Sequence, residues 1–263
     1  MASVPVIAPW QLGVALVFIA GAGAASVWLK LGLGKQLLVG VVRTFLQLFL
    51  LGYALVYIFR VNSPWLVVGG FLVMVVFAAR IVSGRLNAPQ LRVFNPIFLS
   101  MLLSYGVISY LVVGVVVGAQ PWWNPKFFLP LAGMVVGNSM NAIALALERL
   151  LGEVENRRAE IECWLMLGAE PTEATASIFA ASVRAGMIPS INAMMGVGVV
   201  FIPGMMSGQI LAGVDPTLAI RYQIVVMLML VGSTTLGSTM GVWLIRRRLF
   251  GPGWQLLWPR EGA

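Results

Sequence analysis

The sequence predicts an all-α, polytopic integral membrane protein with about seven transmembrane helices and one polar loop between the fifth and sixth. Of its 263 residues, 60% are hydrophobic and 10% are charged, whereas a soluble globular chain averages about 25% charged residues. Apolar runs of about 20 residues recur along the chain. Because the bilayer core holds no water to satisfy the backbone, such runs are typical of membrane-spanning helices.

The seven apolar runs are each long enough to cross a hydrocarbon core of about 30 Å with some tilt. The sixth run differs from the others, since Pro203-Gly204 lies in its middle and removes a backbone donor. We expect either one kinked helix there or two short pieces whose free carbonyls line a cavity. The predicted spans are residues 9–29, 36–59, 64–82, 96–118, 127–147, 188–212 and 218–245.

The cations predict how the chain is oriented, because Lys and Arg accumulate in the connections on the cytoplasmic side. The first, third and fifth connections and the C-terminus hold most of them, and only Arg60, Lys126 and Arg221 lie on the opposite side. We therefore expect the N-terminus outside and the C-terminus in the cytoplasm. The cations assigned to the cytoplasmic side are Lys30, Lys35, Arg80, Arg85, Arg92, Arg149, Arg157, Arg158, Arg184, Arg246, Arg247, Arg248 and Arg260.

Several classes of function find no support in the residues. There is no histidine, and Cys163 is the single cysteine, which excludes His-based catalysis, His-ligated metals and an internal disulfide. The run from Gly32 to Gln36 lacks the first glycine and the Ser or Thr of a nucleotide-binding phosphate loop. The net charge of +8 is accounted for by the connections and does not indicate nucleic acid. The N-terminal residues lack the positive region of a cleaved signal, so we expect the first run to remain as a helix.

The interruption at residues 148–187 is predicted to be a cytoplasmic loop, and it contains most of the acidic residues. Ile161, Trp164, Leu165 and Gly168 have the spacing of one apolar helix stripe. Gly168-Ala169 interrupts this helix, and Pro171 suits the first turn of a second helix, with Glu173 in that turn. The apolar face continues through Ile178, Phe179 and Val183, and we expect Pro189 to end the run. Two short helices of this kind can fill a groove on a soluble partner; the alternative is a helix resting on lipid headgroups.

The polar loop also resembles the cytoplasmic coupling loop of ATP-binding cassette (ABC) permeases, in which Glu-Ala-Ala, three residues and Gly are followed by Leu-Pro or Ile-Pro. Here Glu162, Gly168 and Ile188-Pro189 match that pattern, while Cys163-Trp164 replace the alanines. A closer resemblance, over nearly the whole chain, is to the FetB-type family of iron-export permeases. The segments that carry it are LGAEPTEATASIFAASVRAGMIPSINAMMGVGVVFIPGMMSGQILAGVDPTLAIRYQI, RTFLQLFLLGYALVYIF and LAGMVVGNSMNAIAL.

This resemblance implies that residues 1–263 form one permease domain of a bacterial inner-membrane ABC transporter that exports iron or another metal. It also implies a homodimer in the lipid bilayer and a separate cytoplasmic ATPase, so the chain itself is not expected to be an enzyme or to hold a cofactor. Related plant proteins are linked to aluminium tolerance and nucleotide-sugar export, which leaves the substrate open. The residues expected to couple to the ATPase are Glu162, Trp164, Gly168, Ala169 and Pro171.

Few polar residues lie within the predicted spans, and they are the candidates for a translocation path. Arg43 and Gln47 share one face of the second span, where Arg43 could line a path or reach the headgroups. Asn138 and Asn141 could line a path or bond between helices. The metal ligands are unknown: methionine sulfur suits Cu(I) better than iron. A stand-alone channel or secondary transporter is the alternative function, and a membrane scaffold is a weaker one. The path candidates are Arg43, Gln47, Asn138, Asn141, Pro203 and Gly204.

Overall fold

The structure, a computed structural model, describes residues 8–86 and 91–257; Arg260, one of the cations used for orientation, lies outside them. The described residues form ten α-helices and a short π-helical segment, Leu111–Val116, and no named strand. Seven helices are long and apolar enough to cross a membrane, which confirms the predicted fold class. The helices are α1 (Pro9–Trp28), α2 (Gly34–Val61), α3 (Pro64–Arg85), α4 (Phe94–Tyr110), α5 (Pro125–Asn156), α6 (Arg158–Met166), α7 (Pro171–Ala174), α8 (Ala176–Gly196), α9 (Gly204–Leu211) and α10 (Pro216–Arg248).

The starts of several helices follow from local sequence, because α1, α3, α5, α7 and α10 each have proline in the first turn. Proline has no N–H to leave unbonded there, and its φ is already helical. Two of these helices also have a side-chain cap. The Asn124 side chain accepts a bond from the Lys126 N–H, and the Asp215 carboxylate accepts from the Thr217 and Leu218 N–H groups. The last turn of α10 holds three arginines, which favour the negative end of the helix dipole.

The described chain divides into two compact units. The first contains α1 and α2 with the short segment Leu211–Gly213. In it the connection between α1 and α2 is fixed by the Leu33 N–H, which donates to Ser26 Oγ at 3.0 Å. No residue of α2 is buried, so the apolar surface of this helix is available to lipid or to other protein.

The second unit holds the other described residues and contains the core. Here α5 packs against α3, α8 and α10, and α10 also packs against α4 and α8. The closest approach is at Gly186 on α8, where an added Cβ would lie 2.7 Å from the Ala142 carbonyl oxygen of α5 and 2.8 Å from Ser238 Oγ of α10. A side chain at this position would force the helices apart. Between α5 and α10, the hydroxyls of Ser139 and Ser233 are hydrogen-bonded at 2.7 Å.

Six of the seven predicted spans correspond to observed helices, with α5 ending later than predicted, at Asn156. The predicted sixth span at 188–212 is wrong, because the spanning helix is α8. Pro189 was expected to end the run, yet it lies inside α8, which continues to Gly196. In a packed membrane helix, neighbouring helices and side chains can satisfy a carbonyl that proline leaves free.

The chain does break after α8, as Pro203-Gly204 suggested, and the structure favours two pieces over one kinked helix. Val197 is extended and Gly198 has φ +83°, a left-handed conformation. The Gly198 N–H donates to the Phe201 carbonyl at 3.0 Å, which closes a tight turn. The short helix α9 then begins at Gly204. The interruption therefore occupies residues 197–203, earlier than its proline alone indicated.

Candidate functional site

Three cavities follow one another along α8 and together form what we call the groove. The arginine cavity, of about 430 Å³, lies between α5 and α8. The amide cavity, of about 240 Å³, is shared by α5, α8 and α10. The break cavity, of about 470 Å³, lies between the end of α8, the interruption, α9 and α10. Neighbouring cavities share the wall residues Leu145 and Met227.

The groove extends along most of α8. Its wall on α8 runs from Ala181 in the arginine cavity to Met194 in the break cavity. At 1.5 Å per residue this distance is about 20 Å, against a hydrocarbon core of about 30 Å. On α5, Leu145 is about 30 Å along the helix from Pro125. The arginine cavity therefore lies at the depth of one membrane boundary if α5 enters the core near its first residue.

Asn138 and Asn141 both line the amide cavity, and their role in a translocation path stays a prediction. Bonding between helices was the alternative role for both residues, and among the described residues Asn141 forms such a bond while Asn138 does not. The Asn138 amide donates to the carbonyl of Met134 in its own helix at 2.9 Å. Asn141 accepts a hydrogen bond from the guanidinium of Arg85, on α3, at 3.3 Å. The amides thus face an open cavity, and a cation from a third helix reaches one of them.

The break cavity is mostly apolar and includes one buried amide. Pro203 lines it, together with Val197 and Gly198 of the interruption. Gly204 begins α9 and does not line this cavity. The side chain of Gln223 is only 6% exposed, and its Oε1 atom has no hydrogen-bond partner among the described residues. A buried carbonyl oxygen without a partner is costly, so a ligand with a hydrogen-bond donor would be favoured beside it. The sulfur-bearing residues of this wall are Met194, Met206 and Met227.

The arginine cavity has Arg149 and Arg184 on its wall. Arg149 forms an ion pair with Glu153 at 2.6 Å. Arg184 has no ion pair or side-chain hydrogen bond in the part of the chain that the structure describes, so its charge is free to meet a ligand. Leu145, Ala181 and Ile188 supply apolar surface beside the two guanidinium groups.

Arg43 and Gln47 lie one turn apart on α2, in the first unit, and both are exposed. Their shared face agrees with the sequence pattern. Their place in a translocation path remains a prediction, because the groove is formed by residues of the second unit alone.

In the structure the polar loop occupies residues 157–175 of the predicted 148–187, between the end of α5 and the start of α8. It has the predicted form of two short helices separated at Gly168. The Gly168 N–H donates to the Leu165 carbonyl at 3.1 Å, and the Ala169 N–H donates to the Trp164 carbonyl at 3.0 Å. These two bonds are a Schellman motif, which requires a left-handed residue, and Gly168 has φ +91°. Pro171 then occupies the first turn of α7, and the Glu173 carboxylate accepts a bond from the Glu170 N–H at 3.0 Å.

The exposed apolar surface of the loop differs from the predicted stripe. Ile161 is buried, so a partner cannot contact it as the stripe implied. Trp164 is 51% exposed, and the two residues before Gly168 are more exposed still, Met166 at 81% and Leu167 at 78%. The sequence pattern missed these two residues because they lie at the end of α6, where helical periodicity stops. Trp164, Met166 and Leu167 form what we call the loop tip.

Ion pairs hold the helical part of the polar loop behind its tip. Arg157 donates to both carboxylate oxygens of Glu160, at 2.8 and 2.6 Å. This hydrogen bonding holds the pKa of the Glu160 carboxyl below its ordinary value. Arg158 donates to Glu162 at 2.7 Å. Glu162, which matches the coupling-loop pattern, therefore stabilises α6 through an ion pair within the helix. The loop therefore presents apolar side chains on a framework of local ion pairs.

Three groove residues, Arg149, Arg184 and Gln223, were not recognised as functional candidates from the sequence, and neither was Arg85, which contacts the groove residue Asn141. The three arginines were interpreted only as connection cations that set orientation. Gln223 offered a signal that could have been used, since a lone amide within an apolar span indicates a functional position or an interhelical bond.

Comparison with known proteins finds a match between residues 9–250 and the family model described as uncharacterised protein family UPF0014. A UPF0014 membrane protein of Synechocystis is 37% identical over 94% of both chains. A protein of Escherichia coli named probable iron export permease protein FetB is 34% identical, also over 94% of both chains. The protein ALUMINUM SENSITIVE 3 of Arabidopsis thaliana is 31% identical over 86% of this chain and 82% of its own length. No solved structure matches the chain.

Proposed function

The chain belongs to the UPF0014 family of membrane proteins, and from that premise we propose that it is the membrane-spanning subunit of an ABC transporter. In this proposal the whole chain acts as one permease domain in the bacterial inner membrane, with its N-terminus outside. A separate ATPase binds the polar loop from the cytoplasm, and two copies of the permease form the transporter. The cargo is iron or another metal, moved out of the cell, as the name of the Escherichia coli relative suggests.

The observation that carries the proposal is the loop tip. Three large apolar side chains, Trp164, Met166 and Leu167, are exposed at the end of a short helix whose turn is fixed by Gly168. The surrounding loop is charged, and its ion pairs are local. An apolar cluster with a polar rim is the usual anatomy of a protein–protein interface, and a short helix in a groove is a recurrent mode of docking.

The groove supports a transport role for the membrane part. It runs along α8, which follows directly after the polar loop. Because α7 and α8 are separated only by Thr175, a partner that moves the loop would also move the groove wall. This continuity gives a mechanical route from ATP hydrolysis on a partner chain to opening or closing of the groove.

The proposal is tested by affinity capture of the tagged chain from native membranes, with mass spectrometry of the co-purified proteins. We expect an ABC ATPase with the wild-type chain, and its loss from a Trp164→Ala, Leu167→Ala double variant. Truncation of a buried aromatic contact of this kind costs about 2 kcal/mol or more, a weakening of roughly 30-fold.

Trp65→Ala is the matched control, since Trp65 is 83% exposed at the start of α3 and lies outside the loop. This variant should retain the ATPase fully. Equal capture by the loop variant and the wild type would refute the docking role, and absence of any ATPase from the wild-type capture would favour a stand-alone channel or secondary transporter.

A further inference from the structure

The groove carries a charge pattern that identifies a class of cargo. We infer that the solute entering it is an anion, so that iron or another metal would cross as a negatively charged complex with an oxygen-rich organic chelator and not as a bare cation. The inference rests on the transport function proposed above, and it concerns only the groove of the second unit.

The first argument is the charge on the groove wall. Of the described residues that line the three cavities, the charged ones are Arg149 and Arg184, and none is acidic. Glu148 and Glu153 lie nearby on α5 but do not line the groove, and Glu153 neutralises Arg149. Among the described residues Arg184 has no ion-pair partner, and the planar fork of its guanidinium suits carboxylate and phosphate oxygens.

The second argument is that positive charge continues past the arginine cavity. Arg85 donates to Asn141, which lines the amide cavity. Its remaining guanidinium N–H groups have no partner within the described chain, so an anion beside Asn141 would meet donors from both residues. A bare metal cation would instead meet positive charge at two successive positions.

The third argument is the shortage of metal ligands. The chain has no histidine, and the described residues contain no group of three or more His, Cys, Asp and Glu residues that could hold a metal. Iron and other hard or borderline cations prefer oxygen and imidazole ligands. In the described groove a bare iron ion would meet only amide, hydroxyl, carbonyl and thioether groups, whereas a chelator supplies carboxylate or other charged oxygen ligands.

The fourth argument is size and polarity. The arginine and break cavities, at about 430 and 470 Å³, lie within the range of sites for small organic molecules, about 300–1,000 Å³. The unpartnered Gln223 Oε1 in the break cavity can accept a bond from a hydroxyl or amine of such a molecule. Apolar walls elsewhere would contact its carbon skeleton.

The test uses the full-length chain in nanodiscs of phosphatidylcholine, which has no net charge, with equilibrium binding of radiolabelled probes. The anionic probes are ferric citrate, iron-free citrate and inorganic phosphate; the cationic probe is Fe²⁺ under anaerobic conditions. We expect saturable binding of at least one anionic probe and none of Fe²⁺. Arg184→Gln should weaken the anion at least 10-fold, and Arg184→Lys should restore part of the loss.

Arg248→Gln is the matched control, because Arg248 is an exposed arginine at the end of α10 and lines none of the three cavities. It should change anion binding less than twofold. Saturable Fe²⁺ binding that Arg184→Gln leaves unchanged would overturn the inference, as would failure of all three anionic probes to bind the wild type.

Two further measurements separate the possible explanations. Native mass spectrometry from nanodiscs that also contain phosphatidylglycerol tests whether Arg184 binds a lipid headgroup. The inference would be overturned if the wild type, but not Arg184→Gln, retained this lipid and the wild type bound no soluble anion. ATPase capture is measured on the same variants and should be intact in Arg184→Gln. If the wild type captures the ATPase but binds no anion, the inference is refuted and the proposed function stands. If the wild type binds an anion but captures no ATPase, the proposed function is refuted and the inference stands.

Discussion

Replacing Gly186 by alanine should destabilise the second unit, because α8 touches α5 and α10 most closely at this glycine. The added methyl carbon would lie 2.7 Å from the Ala142 carbonyl oxygen, while ordinary contact begins at about 3.4 Å. Ser238 can rotate away, but the Ala142 oxygen belongs to the backbone, so the helices must separate by several tenths of an ångström. Overpacking of this kind costs about 1–3 kcal/mol, offset by about 1 kcal/mol from the better helix propensity of alanine.

Gly137→Ala is the matched control, because Gly137 is also inside a helix and an added Cβ there meets nothing within 4 Å. That variant gains the propensity term without the clash, so the two variants should differ by about 1–3 kcal/mol. The assay is unfolding in mixed micelles by SDS titration, followed by tryptophan fluorescence. Unfolding of both variants at the same SDS fraction would refute the close approach of α8 and α5.

Three further predictions concern the turn, the groove and the cap of α10. Gly168→Ala should reduce capture of the ATPase, because φ at this residue is +91° and alanine disfavours that conformation. The control Gly152→Ala should not reduce capture, because an added Cβ there meets nothing within 4 Å. Equal capture by the two variants would show that the turn is dispensable. The second prediction uses a chain in which Cys163 is replaced. Ala193→Cys, on the wall of the amide cavity, should react with a membrane-impermeant maleimide, whereas Met195→Cys should not, because Met195 is 69% exposed outside the groove. The reverse pattern would show that water does not enter the amide cavity. Bonds from the Thr217 hydroxyl and from the Thr217 and Leu218 N–H groups lower the pKa of Asp215, so its stabilising effect should be present above its ordinary pKa of about 3.9 and be lost as the pH falls through the lower folded value. Asp215→Asn should flatten that acid-side loss in SDS titrations at several pH values, and an unchanged pH profile would contradict the cap.

The sequence was sufficient for the fold class and for the form of the polar loop, because both depend on local signals. Apolar runs of 20 residues can satisfy their backbone in a bilayer only as helices. The turn at Gly168 and the start of α7 at Pro171 follow from conformations that these two residue types favour.

The sequence predictions that proved wrong concerned features that depend on the packing of neighbouring helices. Pro189 was expected to end a helix, but its effect depends on what surrounds the freed carbonyl. An added Cβ at Gly137 in α5 would meet nothing within 4 Å, whereas the close approach occurs at Gly186, where three helices meet. Sequence spacing cannot show which glycine faces a neighbour.

The groove was predicted only in part. Asn138, Asn141 and Pro203 could be recognised because polar residues and proline are unusual in a span. Arg149 and Arg184 could not, since from the sequence they lie in or beside a connection, where arginine needs no special explanation. Their position depends on α5 and α8 continuing past the predicted ends of the spans.

The most direct test of the central claim measures ATP-driven transport by the reconstituted chain, with and without the captured ATPase. Proteoliposomes with the polar loop facing outward receive labelled ferric citrate and ATP in the external medium, on the side of the loop, and uptake of the label into the lumen is followed. We predict transport only when both chains and ATP are present, and its loss in the Trp164→Ala, Leu167→Ala variant. Equal movement by the permease alone, driven by a gradient and independent of ATP, would contradict the account.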